Sequence, residues 1–291
     1  MSKKSIINTL VPKLRGKTVA ISGGTGGIGR ELCLLLAEAG ANLVLLDRNR
    51  KKSDTLKKEL ESADCGISVR QIRLDLEDTD SVKDACDELS RLPIDALVLC
   101  AGAYHIPRKT CASGHDNIFQ INFISPYCLC RALKPKIEER GGRIVAVSSL
   151  SYSFARFNES NLEYIGKHAA AAYGNAKRFL TFSLYRLFDG SDVLSIAHPG
   201  ISPTGITAGY GKFVSALIKY PMKLIFMSPR RACLSVLHGL VEPCREGEWL
   251  GPRLFGIWGR PKKSRICGYS RNEADKMFNL AESEAENGVF C

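Results

Sequence analysis

The chain lacks a run of apolar residues long enough to cross a bilayer, lacks any Cys-x-x-Cys pair, and shows no repeat, linker or low-complexity tract. Each gap removes a class of protein. A membrane-spanning helix needs about 20 apolar residues in succession, so none is expected. The first residues, Met1-Ser2-Lys3-Lys4-Ser5-Ile6-Ile7, have no apolar core of the kind a signal peptide carries, and the expected location is cytoplasmic. Eleven cysteines are an odd number that fits no closed disulfide set. Cys33, Cys100, Cys128 and Cys130 stand inside apolar runs, where reduced thiols act as small buried hydrophobes. The five histidines show no ligand spacing, and no metal is expected.

Carboxylates are outnumbered: 41 Lys and Arg face 30 Asp and Glu, a net charge of +11. Such a surplus attracts nucleic acid or an anionic membrane surface. Here the cations are spread along the chain, with only short clusters at Arg48 to Lys52 and Arg260 to Arg265. There is no zinc-ligand spacing and no RNA-binding signature, so nucleic acid is not an expected partner. A membrane surface is kept as the lesser alternative. The surplus reads as a solubility feature that also suits an anionic cofactor. With 291 residues, 45% of them apolar, the chain can bury the core of one large α/β domain.

Glycine is concentrated where it matters most, in Ser22-Gly23-Gly24-Thr25-Gly26-Gly27-Ile28-Gly29. The stretch follows the apolar run Val19-Ala20-Ile21 and leads into a helical pattern at Leu32, Leu35, Leu36 and Ala39. Strand, glycine-rich turn and helix are the context a dinucleotide-binding loop requires. Gly23 permits the tight turn, Gly27 lets the backbone approach a pyrophosphate, and Gly29 lets helix and strand pack closely. The first amides of the helix then face the phosphates.

Asp47 closes the next apolar run, 18 residues after Gly29. An acid at that strand end accepts hydrogen bonds from the ribose hydroxyls of NAD and repels the 2′-phosphate of NADP. Arg30 and Arg48 argue the other way, because guanidinium groups pair with that phosphate. NAD(H) is the expected cofactor and NADP(H) the alternative.

Strands and helices alternate through most of the chain. Helices are predicted over 51–61, 80–89 (with Asp80 as N-cap), 117–133 and 170–188, and strands over 68–74, 96–99, 143–147 and 193–197. This rhythm predicts a Rossmann-type, doubly wound parallel sheet with helices on both faces, in a single domain. Cofactor and substrate are expected at the carboxyl ends of its strands.

The chemistry is expected from four side chains. Tyr173 and Lys177 are four apart on a predicted helix, hence on one face. A free phenol, with a pKa of about 10, is a poor proton donor and acceptor near neutrality. A nearby ammonium, with the positive charge of oxidised nicotinamide, stabilises the phenolate. Ser149 ends a predicted buried strand and can hold a substrate oxygen, and Asn122 can support a lysine-to-water proton route. Alone, a Tyr-x-x-x-Lys pair reads as an ordinary surface helix pair; with the glycine-rich loop and the strand-end serine it does not.

On these motifs the chain resembles the short-chain dehydrogenase/reductase family over about residues 15–255. Ser22-Gly-x-x-x-Gly-x-Gly29 matches the cofactor loop, with serine in the usual threonine place. Asp75-Leu76 matches the pair whose acid contacts adenine. Leu99-Cys100-Ala101-Gly102 stands where the family has Asn-Asn-Ala-Gly. Asn122, Ser149, Tyr173 and Lys177 match the catalytic tetrad, and Pro199-Gly200-Ile201-Ser202-Pro203-Thr204 matches the segment whose backbone near Ile201 and Thr204 hydroxyl hold the nicotinamide carboxamide. The resemblance selects Ser149 over its neighbour Ser148, and Tyr173 over Tyr152 and Tyr164. The gap of 24 residues from Ser149 to Tyr173 implies an inserted loop at about 156–167, as in retinol- and steroid-reducing branches, bordering the substrate.

The implied activity is hydride transfer between nicotinamide and a hydrophobic secondary alcohol or ketone, a hydroxysteroid dehydrogenase being the specific case. Residues 205–231, rich in Phe213, Leu217, Ile218, Leu224, Ile225 and Phe226, are by position the expected substrate lid, with a subunit contact, a membrane-surface helix and plain core packing as the alternatives. Residues 1–15 are an amino-terminal extension and 260–291 a carboxyl-terminal tail, acidic and helix-like from Arg271 to Glu286. The resemblance implies a homodimer or homotetramer. Two rival readings are a catalytically silent NAD-binding sensor or scaffold, and a membrane-surface retinol or lipid carbonyl reductase using NADPH.

Overall fold

The computed structural model describes residues 10–63, 65–104, 106–200 and 227–288. Ile201 and Thr204, expected at the cofactor, lie outside the described residues, as do 205–226 of the expected lid and 1–9 of the extension. The lid's last residues, from Pro229, belong to a helix.

In chain order the strands are β1 Thr18–Ser22, β2 Asn42–Asp47, β3 Val69–Arg73, β4 Ala96–Leu99, β5 Arg143–Val147, β6 Leu194–Ala197, β7 Glu248–Leu254 and β8 Trp258–Arg265. The helices are α1 Gly27–Glu38, α2 Arg50–Ser62, α3 Thr79–Ser90, α4 Ser125–Glu139, α5 Ala169–Leu187, α6 Pro229–Gly239 and α7 Arg271–Gly288. The sheet order is β3-β2-β1-β4-β5-β6-β7-β8. Pairing is parallel as far as β7, and β8 returns antiparallel to it. Strand order reverses beside β1, which opens a crevice at the carboxyl ends of β1 and β4.

Alternation along the strands divides the core in two. Val19 and Ile21 of β1, with Ala96 and Val98 of β4, pack among residues of α1, α2 and α6. Ala20, Leu97 and Leu99 face the other way, among residues of α3, α4, α5 and α7. Strands apolar on both faces are what a parallel sheet covered on both sides requires. Among the described residues no helix is long and apolar enough to cross a membrane.

Three elements differ from expectation. The N-cap of α3 is Asp78, not Asp80: its side chain accepts from the Asp80 and Ser81 amides, because Asp78 holds the extended backbone a cap needs. The helix expected over 117–133 is a short α turn Asn117–Phe119, a π turn Gln120–Ile124, and then α4. Pro126 explains the break, since it has no N–H to return to the Asn122 carbonyl four residues back. The tail begins inside a strand, as β8 spans Trp258–Arg265 before the acidic helix α7.

α7 lies on the outer faces of α4 and α5 through ion pairs. Arg178 meets Glu273 at 2.5 and 2.7 Å, Arg131 meets Glu282 at 3.2 Å, and Arg186 pairs with Asp275. The acidic face of the tail is thus matched to cations of α4 and α5.

Candidate active site

A cleft of about 710 Å³ opens at the carboxyl ends of the strands. Its walls are the glycine-rich loop, Cys100 to Gly102 after β4, Val147 to Ser151 after β5, Tyr173 and Lys177 of α5, and His198 to Gly200 after β6.

The loop is built for backbone contact. Gly23 has φ +72°, and a Cβ there would lie 2.8 Å from Ala101 Cα; a Cβ on Gly29 would lie 2.2 Å from the Gly23 carbonyl oxygen. Only glycine permits either approach. α1 is preceded by Gly26 as N-cap, with no side-chain cap and no acid in its first turn. Its first amides therefore face the cleft at Gly27, Ile28 and Gly29 without a built-in acceptor. That is the electrostatic signature of a diphosphate site, so a dinucleotide fits the residues present.

Other expected cofactor residues support the loop rather than line the cleft. Ser22 is buried, and its hydroxyl accepts from the Ala101 amide at 3.2 Å, tying β1 to the end of β4. Thr25 donates its amide (3.2 Å) and hydroxyl (2.9 Å) to one carboxylate oxygen of Asp47. The other Asp47 oxygen accepts from Ser53 at 3.5 Å, leaving acceptor capacity for a further donor. Burial raises the Asp47 pKa, and the Thr25 hydrogen bonds oppose that rise. Asp75 accepts from the Glu77 amide, while Leu76 is buried and offers its carbonyl to Ser125 at 2.8 Å. Arg48 lies 3.8 Å from Asp75 and 3.7 Å from Glu77, and Arg30 pairs with Glu59 and Glu31.

Three of the four expected catalytic side chains meet on one wall. Burial pushes the Tyr173 phenol up to about 12, and the facing Ser149 hydroxyl opposes that shift. Lys177 is 3% exposed, and burial lowers its ammonium to about 8. Asn122 stands behind them. It accepts from the Ala103 amide at 3.1 Å and donates to the carbonyls of Ala103 (3.0 Å) and Ile118 (2.8 Å). Its side chain is thus spent on the backbone, pinning the loop after β4. A Cβ on Gly102 would lie 2.8 Å from Asn122 Oδ1 and 3.6 Å from Lys177 Nζ, so glycine lets the two come together.

The rival residues are engaged elsewhere. Ser148 is buried, with its hydroxyl 2.8 Å from that of Thr181. Tyr152 donates to the Cys267 carbonyl at 3.2 Å, and the Tyr164 hydroxyl is held by the Arg156 backbone. The inserted loop is clamped by Arg108, which donates to the carbonyls of Glu163, Tyr164 and Lys167 and pairs with Asp116 at 2.9 Å. Ala155 and His168, at its two ends, line the cleft.

Sequence reasoning missed three residues here. Ser151 places its hydroxyl 2.7 Å from Ser149 Oγ. Tyr104 sets its ring edge-on to Tyr173, with centroids 5.0 Å apart. His198 lies flat on Trp249 at 4.9 Å, and burial lowers it to about 4. Only the serine cluster at 148, 149 and 151 carried a local signal.

Comparison with known proteins identifies the family. The sequence model of the family described as short chain dehydrogenase matches residues 17–164. An uncharacterized oxidoreductase of Schizosaccharomyces pombe is 28% identical over 264 residues, 84% of this chain and 78% of its own length. Mouse retinol dehydrogenase 13 is 28% identical over 230 residues, 75% of this chain and 69% of its own. The fold is similar to that of a 3-oxoacyl (acyl-carrier-protein) reductase from Agrobacterium tumefaciens, solved with NADP bound, at a TM-score of 0.61, 22% identity and coverage of 82% of this chain and 91% of that one. With a glycine-rich loop shaped for a dinucleotide and a serine, tyrosine and lysine on the facing wall, the chain belongs to the short chain dehydrogenase family and is an NAD(P)-dependent oxidoreductase.

Proposed function

We propose that the chain transfers a hydride between NAD(H) and a hydrophobic secondary alcohol or ketone, hydroxysteroids being one such class. The observation that carries this reading is the convergence of Ser149, Tyr173 and Lys177 on one wall of the dinucleotide cleft. Gly27, Ile28 and Gly29 hold the diphosphate through backbone amides, and Asp47 holds the adenosine ribose. When bound, the nicotinamide supplies or accepts the hydride. Tyr173 gives a proton to the substrate oxygen in reduction and takes it in oxidation. Ser149 orients that oxygen, and Lys177 stabilises the phenolate and binds the second ribose. Rigid placement of these groups combines proximity with acid–base assistance.

NAD is favoured because Arg30 and Arg48 are both paired with carboxylates, which compete with a 2′-phosphate. The substrate class is supported by the apolar rim of Leu150, Phe154, Ala155, Ala170 and Ala171, and by the name of the mouse relative. A homodimer or homotetramer rests on family resemblance.

The test is a screen of hydrophobic ketones and alcohols by NADH absorbance, with Tyr173→Phe as control. Turnover of several such compounds, lost in the variant while NADH still binds, is the expected result. Tight NADH binding with no turnover of any of them would point to the sensor reading instead.

A further inference from the structure

The hairpin between β7 and β8 turns through Leu254, Phe255, Gly256 and Ile257, closed by the Ile257 amide donating to the Leu254 carbonyl at 2.9 Å. Both central residues have positive φ, 51° at Phe255 and 69° at Gly256. That is the type I′ pattern, which draws Asn-Gly or Gly-Gly. A phenylalanine at the first position is strained, and packing does not reward it. Phe255 is 91% exposed and Leu254 56%. Fold stability explains neither residue.

The tip is fixed to the mouth of the cleft. His198 Nε2 is 2.8 Å from the Gly256 carbonyl oxygen, and a Cβ on Gly256 would lie 3.2 Å from Leu150 Cδ2. His198 and Leu150 both line the cleft, and so does Phe154, which is 88% exposed. Large apolar side chains thus project from this rim.

The hairpin is also one-signed. From Trp249 to Asn272 there is no Asp or Glu, while Arg253, Arg260, Lys262, Lys263, Arg265 and Arg271 fall in that stretch. Lys263 meets Glu242 and Arg271 meets Asp189. Arg253, Arg260, Lys262 and Arg265 are exposed, with no carboxylate in ion-pair range among the described residues. Cations on an edge strand blunt unwanted strand pairing. That role accounts for the charge on β8 and leaves the strained apolar tip unexplained. Separate apolar fingers on a convex turn, flanked by unmatched cations, suit a fluid anionic interface: the rings enter the headgroup boundary and the cations meet the headgroups.

We propose that the β7–β8 hairpin seats the mouth of the cleft on an anionic phospholipid surface, so that a substrate dissolved in lipid enters without crossing water. The docking is independent of turnover; only the nature of the delivered substrate rests on the function proposed above.

The full chain is sedimented with vesicles of phosphatidylcholine alone and of phosphatidylcholine with phosphatidylserine, at low and high salt. The bound fraction is expected to rise with phosphatidylserine and fall at high salt. Arg260→Glu with Lys262→Glu lowers the low-salt partition coefficient by roughly tenfold or more. Phe255→Gly relieves the turn and keeps or raises Tm, yet weakens vesicle binding. That result separates docking from folding. All these variants keep wild-type kcat/KM toward a water-soluble ketone. Equal sedimentation with both vesicle types, or no effect of the hairpin variants, overturns the proposal. So does a concentration-dependent dimer that the same variants dissociate, which assigns the tip to a second copy. Hairpin-dependent binding by a chain that turns over no ketone or alcohol would sink the proposed function and leave the docking standing.

Discussion

The Lys177 ammonium lies 5.8 Å from the centre of the Tyr173 ring and donates a 2.9 Å hydrogen bond to the Val147 carbonyl. The strand end therefore fixes the cation beside the ring. Burial leads both shifts, and both run the wrong way for proton transfer, the phenol up to about 12 and the ammonium down to about 8. Positive charge near the phenol has to reverse the first shift.

Alcohol oxidation, which needs the phenolate, is expected to speed up as pH rises. Removing the cation in Lys177→Met moves that rising limb up by roughly one to three pH units. Tyr173→Phe lowers kcat by roughly 10²–10⁴ while NADH binding persists. Initial rates across pH for the three proteins check both statements, and an unmoved limb in Lys177→Met would refute the electrostatic role.

Ser151 is expected to steady the Ser149 hydroxyl that it touches. Ser151→Ala lowers kcat roughly fivefold, the worth of about 1 kcal/mol for one hydrogen bond. Ser149→Ala costs roughly 10²–10³. Neither change alters NADH affinity by fluorescence titration. Threonine at 151 restores the rate if the hydroxyl is what matters.

Asp47 ties down Thr25, so Asp47→Ala has two effects at once. Preference for NADH over NADPH narrows because the repulsion of the 2′-phosphate is gone. Affinity for both also falls, because the loop loses the anchor of its Thr25 amide and hydroxyl. Dissociation constants for both cofactors separate the two effects. A wild-type chain that prefers NADPH would contradict the NAD assignment outright.

The glycine-rich loop, the strand–helix alternation and the Tyr173–Lys177 spacing were legible because each is a local pattern that one β-α unit enforces. The β7–β8 hairpin was not. Gly251, Pro252, Gly259 and Pro261 interrupt both strands, and pairing with a partner strand supplies what propensity lacks. The π turn was hidden for another reason: Pro126 sits where a helix start tolerates proline, and the turn before it compensates. Contacts such as Arg108 with the inserted loop join residues more than 50 apart and leave no trace in any window of sequence. The choice of Asp78 over Asp80 turned on backbone geometry that two neighbouring acids cannot reveal.

His115 links two distant segments, with Nδ1 2.6 Å from Glu163 of the inserted loop and Nε2 3.3 Å from Glu284 of α7. The Glu163 hydrogen bond leads the causes that raise its pKa, opposed by burial. A histidine raised on folding stabilises fully below its unfolded value of about 6.5 and loses that contribution as pH climbs through the folded value. Tm is expected to fall by roughly 2–4 °C over that window, the equivalent of about 1 kcal/mol. His115→Gln flattens the profile; thermal melts across pH in both proteins are the measurement.

Arg178 has a side chain 9% exposed, held by both Glu273 oxygens and the Gly268 carbonyl, with the Phe182 ring 4.4 Å away. Arg178→Ala leaves Glu273 half-buried and unpaired, at a cost of about 3 kcal/mol in urea unfolding. Arg178→Met with Glu273→Leu costs less than the single change. Equal losses would mean that the pairing is incidental to the packing.

The Arg178–Glu273 contact closes a separation of 95 residues. During synthesis, α5 leaves the ribosome carrying Tyr173 and Lys177 on its inner side long before α7 exists to cover its outer side. Until residues 271–288 emerge, Arg178 and Arg131 have no carboxylates from that helix, and the apolar flank that Ala274, Met277 and Ala281 later cover stays wet. α7 thus acts as a latch on α5. A chain stopped short of Arg271 would hold Tyr173 and Lys177 on an unsecured support, and competence would arrive with α7 rather than with the sheet.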